Sequence, residues 1–336
     1  MLLEIENLKT HYQTAEGMVK AADGISFSID KDQVFGLVGE SGCGKSTLIR
    51  TIMRLVPDSA HVSADRLRIN GTDLLPLSDK EYRKSILWSE ISLVPQSAMN
   101  SLNPVYKVGN QIAEIMLTHT KMKRKEAMEK VKELFEAVGL QAGLVNSFAH
   151  EFSGGMRQRA MIAMSLALNP SLIIMDEPTT GLDVLVQERI LRKLIEIKAK
   201  MANDTSILLI THDISVVAEM SDRIGVMYAG QMMEVSDTLD LFAEPYHPYS
   251  LGLKNAFPSI KELDRELISI PGSPPNLIGN FQGCIFRERC PFRIKECATK
   301  RPEAKEVKPG HMVACIRTND VEEFRQRAGE KETWKF

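Results

Sequence analysis

The chain has 336 residues, 42 Lys and Arg against 44 Asp and Glu, a formal net charge of −2 and 43% hydrophobic side chains. That length suits one large domain with an appendage, or two domains, and the apolar content is enough for a sizeable core. The near-balance of charge excludes a nucleic-acid coat and a polybasic membrane anchor.

The first segment, MLLEIENLKTHY, is interrupted by Glu4 and Glu6, so no signal peptide is expected. Apolar alternation in LLEIENLKT and VKAADGISFSI predicts antiparallel strands, and the short apolar run QVFGLVG predicts a buried one. A helix is expected from Lys45 to about Leu55, and Ser78 is placed to cap another. From about Val105 to Leu168 apolar residues recur at helical spacing, in VGNQIAEIMLTH and KRKEAMEKVKELFEAVG, the second closed by Gly139. The longest apolar candidate, Ala160 to Met175, is divided by Asn169-Pro170 and is shorter than the roughly 20 residues a membrane span needs. The expectation is therefore a cytoplasmic chain, in which disulfides are disfavoured. SLIIMDEP and TSILLITHD are strand-length apolar runs separated by a charged amphipathic helix from Val184 to about Met201, an order that implies a parallel sheet. After about Pro245 the composition becomes rich in turn residues, and four of the five cysteines follow.

Gly39 to Thr47, GESGCGKST, fits the pattern G-x-x-x-x-G-K-[ST] between a predicted strand and a predicted helix. Gly39, Ser41, Gly42, Cys43, Gly44, Lys45, Ser46 and Thr47 are the candidate ATP-binding residues. Glycines let backbone N–H groups curl around phosphate, and the helix N-terminus adds a favourable dipole. Lys45 suits neutralising the β- and γ-phosphates and the Ser46 hydroxyl suits Mg²⁺. Cys43 reads as a small residue at a variable position. Asp176 and Glu177 end an apolar strand, where ligands of α/β sheets collect. Asp176 suits a Mg²⁺ contact, and Glu177 suits polarising the water that attacks the γ-phosphate. His212 ends the next such run and suits donating to that phosphate, so Glu177 and His212 are the candidate catalytic pair.

FSGGMRQRAMIAMSLALNP, followed by SLIIMDEPTTGLD, resembles the signature and acidic strand of ATP-binding-cassette (ABC) ATPases. Phosphate loop, glutamine, signature, acidic strand and histidine stand in that family's order over about Leu2 to Gln231. The resemblance implies an α/β P-loop fold, with a RecA-like core, an antiparallel β subdomain, a helical subdomain at about 100–168 and a nucleotide-binding domain over 1–245. It implies that Tyr12 stacks on adenine and that Gln96 reaches Mg²⁺ and couples the site to the membrane partner. Ser153, Gly154 and Gly155 would contact the ATP of a partner subunit, and Asp183 would sit in the loop that crosses the interface. Met156 stands where the commonest signature has Gln, so any contact there is apolar or through the backbone.

SAMNSLNPVYKVGNQIAE and FAEPYHPYSLGLKNAFP are similar to ATPase subunits of bacterial dipeptide, oligopeptide and nickel importers, and residues 246–336 to the C-terminal extension of that group. This implies peptide import, with a nickel importer as the alternative. The implied partners are a second homologous ATPase subunit, two transmembrane permease subunits and, indirectly, an extracytoplasmic peptide-binding protein. No nucleic-acid partner is expected, and the implied location is the cytoplasmic face of the cell membrane. A DNA-repair ATPase would need a long heptad-rich insertion, and a translation factor usually has two cassettes; neither is visible. Cys284, Cys290, Cys297 and Cys315 have the spacing Cys-x5-Cys-x6-Cys-x17-Cys. Four clustered thiols in a cytosolic chain point to a metal centre, with a [4Fe–4S] cluster expected and Zn²⁺ or free thiols the alternatives.

Overall fold

The computed structural model describes residues 1–96, 101–178, 187, 190, 192, 193, 196, 205–256 and 267–335. Its strands, in chain order, are β1 (Leu3–Thr14), β2 (Gly17–Ile29), β3 (Val34–Val38), β4 (Ala60–Ser63), β5 (Arg66–Ile69), β6 (Thr72–Asp73), β7 (Ile91–Val94), β8 (Leu172–Asp176), β9 (Ser206–Ile210), β10 (Arg223–Tyr228), β11 (Gln231–Asp237), β12 (Lys305–Lys308) and β13 (His311–Val313). They fall into two compact units. Met1–Glu4, Ser28–Val34 and Arg68–Ile210 form the first; Ile5–Phe27, Phe35–Leu67 and Thr211–Phe336 form the second.

In the first unit β7, β8 and β9 are parallel neighbours, registered Ile91 to Leu172 and Leu172 to Ser206. Every residue of β9 is buried, and so is β8 up to Asp176, which explains the unbroken apolar runs of the sequence. Ser78 caps the helix Asp79–Ser85 in a reciprocal capping box with Glu81. The helix Val108–His119 buries Val108, Ile112, Ala113 and Met116, and Arg124–Ala137 buries Ala127, Val131, Leu134 and Phe135, the spacing of one helical face. Gly139, at φ 76°, ends the second. Of the helix expected between β8 and β9, the described residues Gln187, Ile190, Arg192, Lys193 and Glu196 are helical; the remainder lies outside the described residues.

The second unit holds the strand order β12-β13-β11-β10-β3. β10 runs parallel to β3, registered Arg223 to Phe35, whereas β10–β11, β11–β13 and β12–β13 are antiparallel. Residues beyond 300 thus extend the sheet that carries β3. β1 lies next to β2 and pairs antiparallel with β4. One apolar cluster joins Val38, Val226, Tyr228 and Val217 to Tyr249, Phe286, Phe292, Phe324 and Trp334, so the C-terminal segment shares a core with the central strands. Among the described residues no helix is long and apolar enough to cross a membrane.

The helix Ile214–Met220 packs on β3 at Gly36, where a Cβ would lie 2.1 Å from Val217 Cγ1 and 2.6 Å from the Ser221 hydroxyl. Val217 is stiff at χ1 and fully buried, so it has nowhere to go. Gly36→Ala is expected to destabilise the protein by about 1–3 kcal/mol through overpacking. A thermal unfolding midpoint equal to wild type would show that the helix shifts without cost.

Candidate active site

The turn after β3 is built around two close approaches. Gly44, at φ 104°, caps the helix Lys45–Ile52, and a Cβ there would meet the Ala21 carbonyl oxygen at 2.1 Å. A Cβ on Gly39 would meet the Met227 carbonyl oxygen at 2.1 Å. The helix following this glycine turn offers its N-terminal dipole to an anion. Lys45 is buried and folds back, donating to the Gly39 and Glu40 carbonyls at 2.7 and 3.0 Å. Ser41, Gly42 and Ser46 are exposed at the rim, and Thr47 is half-buried.

Cys43 is fully buried inside the loop, and its carbonyl accepts from the Gly230 N–H at 2.8 Å. Burial pushes its thiol above the usual range, against the pull of Lys45. His212 is exposed and lines one cavity with Gly39, Glu40, Ile270 and Arg289. The second unit therefore brings the phosphate loop and the candidate histidine together. Tyr12 lies on β1, half-buried, in register with Ala60.

In the first unit β8 ends at Asp176, and Glu177 turns out of the sheet at φ 47°, a left-handed conformation that a glutamate adopts only under constraint. Hydrogen bonds to the neighbouring strand and to Gln96 help hold it there. Its N–H donates to the Ile210 carbonyl at 2.8 Å, and its Oε2 accepts from Gln96 Nε2 at 2.8 Å. The glutamine and the candidate catalytic carboxylate, 81 positions apart, thus meet directly. Ser153 is exposed and caps the helix Gly154–Ser165 by accepting from the Met156 N–H at 3.3 Å, with Gly154 and Gly155 as its first residues. Asp183 lies outside the described residues.

Cys284, Cys290, Cys297 and Cys315 all line one small cavity walled by Phe286, Phe292 and Phe324. All four are free thiols. Burial raises Cys284 to about 11, Cys315 to about 12, and Cys290 further still. Among the described residues, however, no three His, Cys, Asp or Glu side chains are grouped to hold a metal ion, so the expected four-thiolate metal centre is not assembled as such. The sequence reading missed Glu40, Tyr249 and Arg289. Tyr249 lies in the first turn of the helix Pro248–Ala256, fully buried, and its N–H donates to His247 Nδ1 at 3.0 Å. Burial lowers His247 to about 4, keeping the imidazole neutral for that role.

A glycine phosphate loop at a helix start and a glutamine-bound glutamate at a strand end are features of a P-loop ATPase site. Residues 22–180 match the ABC transporter family, and residues 233–297 match the C-terminal region of oligopeptide/dipeptide transporters. The chain is 43% identical to a probable peptide ABC transporter ATP-binding protein of Sinorhizobium fredii, over 96% of each chain. It is 42% identical to a dipeptide transport ATP-binding protein of Bacillus subtilis, over 94% of each. Among solved structures it resembles the dimeric ATP-binding cassette MJ0796 bound to ADP and phosphate, with TM-score 0.61 and 25% identity over 70% of this chain and 98% of that one. The chain belongs to the family of ATP-binding subunits of peptide-transporting ABC transporters.

Cys43 provides a direct check of the loop's packing. At pH 7.5 it is expected to resist iodoacetamide in the native protein and to react fully on unfolding, as read by peptide mapping. Stoichiometric native labelling of Cys43 would contradict the enclosed loop.

Proposed function

We propose that the chain hydrolyses ATP to energise import of di- and oligopeptides through a membrane permease. The observation that carries this reading is the joining, in one chain, of an ABC transporter match and an oligopeptide/dipeptide transporter C-terminal match. Residues 1–245 are the nucleotide-binding domain, with a helical part at about 100–168, and 246–336 the extension. The partners are a second homologous ATPase subunit and two permease subunits, with the chain peripheral on the cytoplasmic face. An extracytoplasmic peptide-binding protein supplies substrate without touching it.

Within the site, Gly39, Ser41, Gly42, Cys43, Gly44, Lys45, Ser46 and Thr47 bind the ATP phosphates, and Lys45 exchanges its two carbonyl partners for phosphate oxygens. Tyr12 takes the adenine. Bound Mg²⁺ would neutralise charge on the β- and γ-phosphates, held by Ser46, Gln96 and Asp176. The fit is chemical: Gln96 gives its N–H to Glu177, and its other polar atom is an oxygen, the ligand that Mg²⁺ takes. The same bond aims the Glu177 carboxylate, which polarises the attacking water, and His212 contacts the γ-phosphate. Ser153, Gly154, Gly155 and Asp183 serve the partner subunit's ATP.

The extension's four cysteines are assigned to a [4Fe–4S] cluster, with Zn²⁺ the alternative, on their spacing and shared cavity. The cluster's role would be to fold the segment.

Two measurements test the reading. Glu177→Gln is expected to retain ATP binding and lose roughly 100-fold or more in turnover, while Lys45→Ala weakens binding itself. Near-wild-type hydrolysis by the Glu177 variant would remove its assigned role. Anaerobically purified protein is expected to carry iron and sulfide in equal amounts; one zinc per chain, or no metal with a folded C-terminal segment, would sink the cluster.

A further inference from the structure

Glu40, the second residue of the phosphate loop, is held at every polar group it has. Its N–H donates to the Tyr249 hydroxyl at 3.1 Å, and its carbonyl accepts from Lys45 Nζ at 3.0 Å. Its carboxylate is gripped by both terminal nitrogens of Arg289, Nη1 to Oε2 at 2.8 Å and Nη2 to Oε1 at 3.0 Å. Arg289 is in turn fixed by the protein. Its Nε donates to the Pro271 carbonyl at 2.7 Å, its guanidinium lies 5.6 Å from the centre of the Tyr228 ring, and it is only 6% exposed. Tyr228, Tyr249 and Phe286 pack ring on ring around the pair at 4.8 to 5.2 Å.

We propose that Arg289, supported by Tyr249, is a positioning residue for ATP. It fixes the entry of the phosphate loop and cancels a negative charge that the loop itself carries. A loop that binds a polyanion through N–H groups and a helix dipole is opposed by a carboxylate of its own. A forked guanidinium neutralises that carboxylate and sets its direction at once, which a point charge on a flexible stem does less well. Removing the arginine would leave Glu40 uncompensated beside the triphosphate. The C-terminal segment thereby becomes part of the nucleotide site, 249 positions from the loop it serves.

The inference rests on the ATPase reading, and one set of titrations separates the two. MgATP binding and steady-state hydrolysis are measured on the full-length chain for wild type, R289M, R289K and the double variant E40Q/R289M. R289M is expected to raise the Kd and KM for ATP about tenfold or more, with a much smaller change in kcat. E40Q/R289M is expected to recover most of that loss, since it removes the uncompensated charge, and R289K to recover part of it. Wild-type binding with R289M unchanged would overturn the inference alone. So would a double variant as weak as R289M, because Arg289 would then act only by holding its own segment. A wild type that binds no MgATP would fail both readings.

Discussion

Between β3 and the helix that follows it, the backbone runs so close to two neighbouring carbonyls that no side chain fits at Gly39 or Gly44. The oxygens that impose this belong to Met227, at the end of β10, and Ala21, on β2. The loop can hold its shape only if both strands are in place. Two further tethers come from the chain beyond them, the Gly230 N–H on the Cys43 carbonyl and the Tyr249 hydroxyl on the Glu40 N–H. The parallel register of β10 on β3 and the burial of Tyr228 and Tyr249 are therefore conditions for the shape of this loop as well as features of a core.

The same dependence explains how the C-terminal segment is built. It is stitched to the central strands by backbone and charge together. β13 pairs with β11, Lys20 and Met18 of β2 exchange backbone bonds with Leu277 and Gly279, and Arg301 reaches Asp23 with bonds of 2.8 and 2.7 Å. Glu234, fully buried on β11, accepts the N–H groups of Tyr246 and His247 and the ring of His311 at 2.7 Å, so one carboxylate ties the start of the segment to its late hairpin. These partners are 12 to 77 positions apart. The four cysteines of this segment line one apolar cavity.

Much of this was legible in the sequence because it is local. The G-x-x-x-x-G-K-S run fixed the strand–turn–helix around Lys45. Ser78 announced a capped helix, the apolar spacing from Val108 to Phe135 announced one buried face on each of two helices, and the runs ending at Asp176 and Ile210 announced parallel strands. The signature's glycines were found at a helix start, where a motif must place them. What escaped depends on distance. Nothing in RERCP marks Arg289 as the partner of a glutamate in the phosphate loop, and nothing in QVFGLVGE tells Glu40 from a solvated loop acid. Nothing in HPY signals a tyrosine hydroxyl reaching the loop. The thiols were legible as a group from their spacing, yet spacing does not say how far apart the sulfurs stand.

Amide hydrogen exchange of the full-length chain with and without MgATP reads the proposed coupling of the C-terminal segment to the phosphate loop most directly. MgATP is predicted to slow exchange both in the loop from Gly39 to Ser46 and in the two stretches around Tyr249 and Arg289 that hold Glu40. Slowing confined to the loop, with those two stretches unchanged, would contradict it.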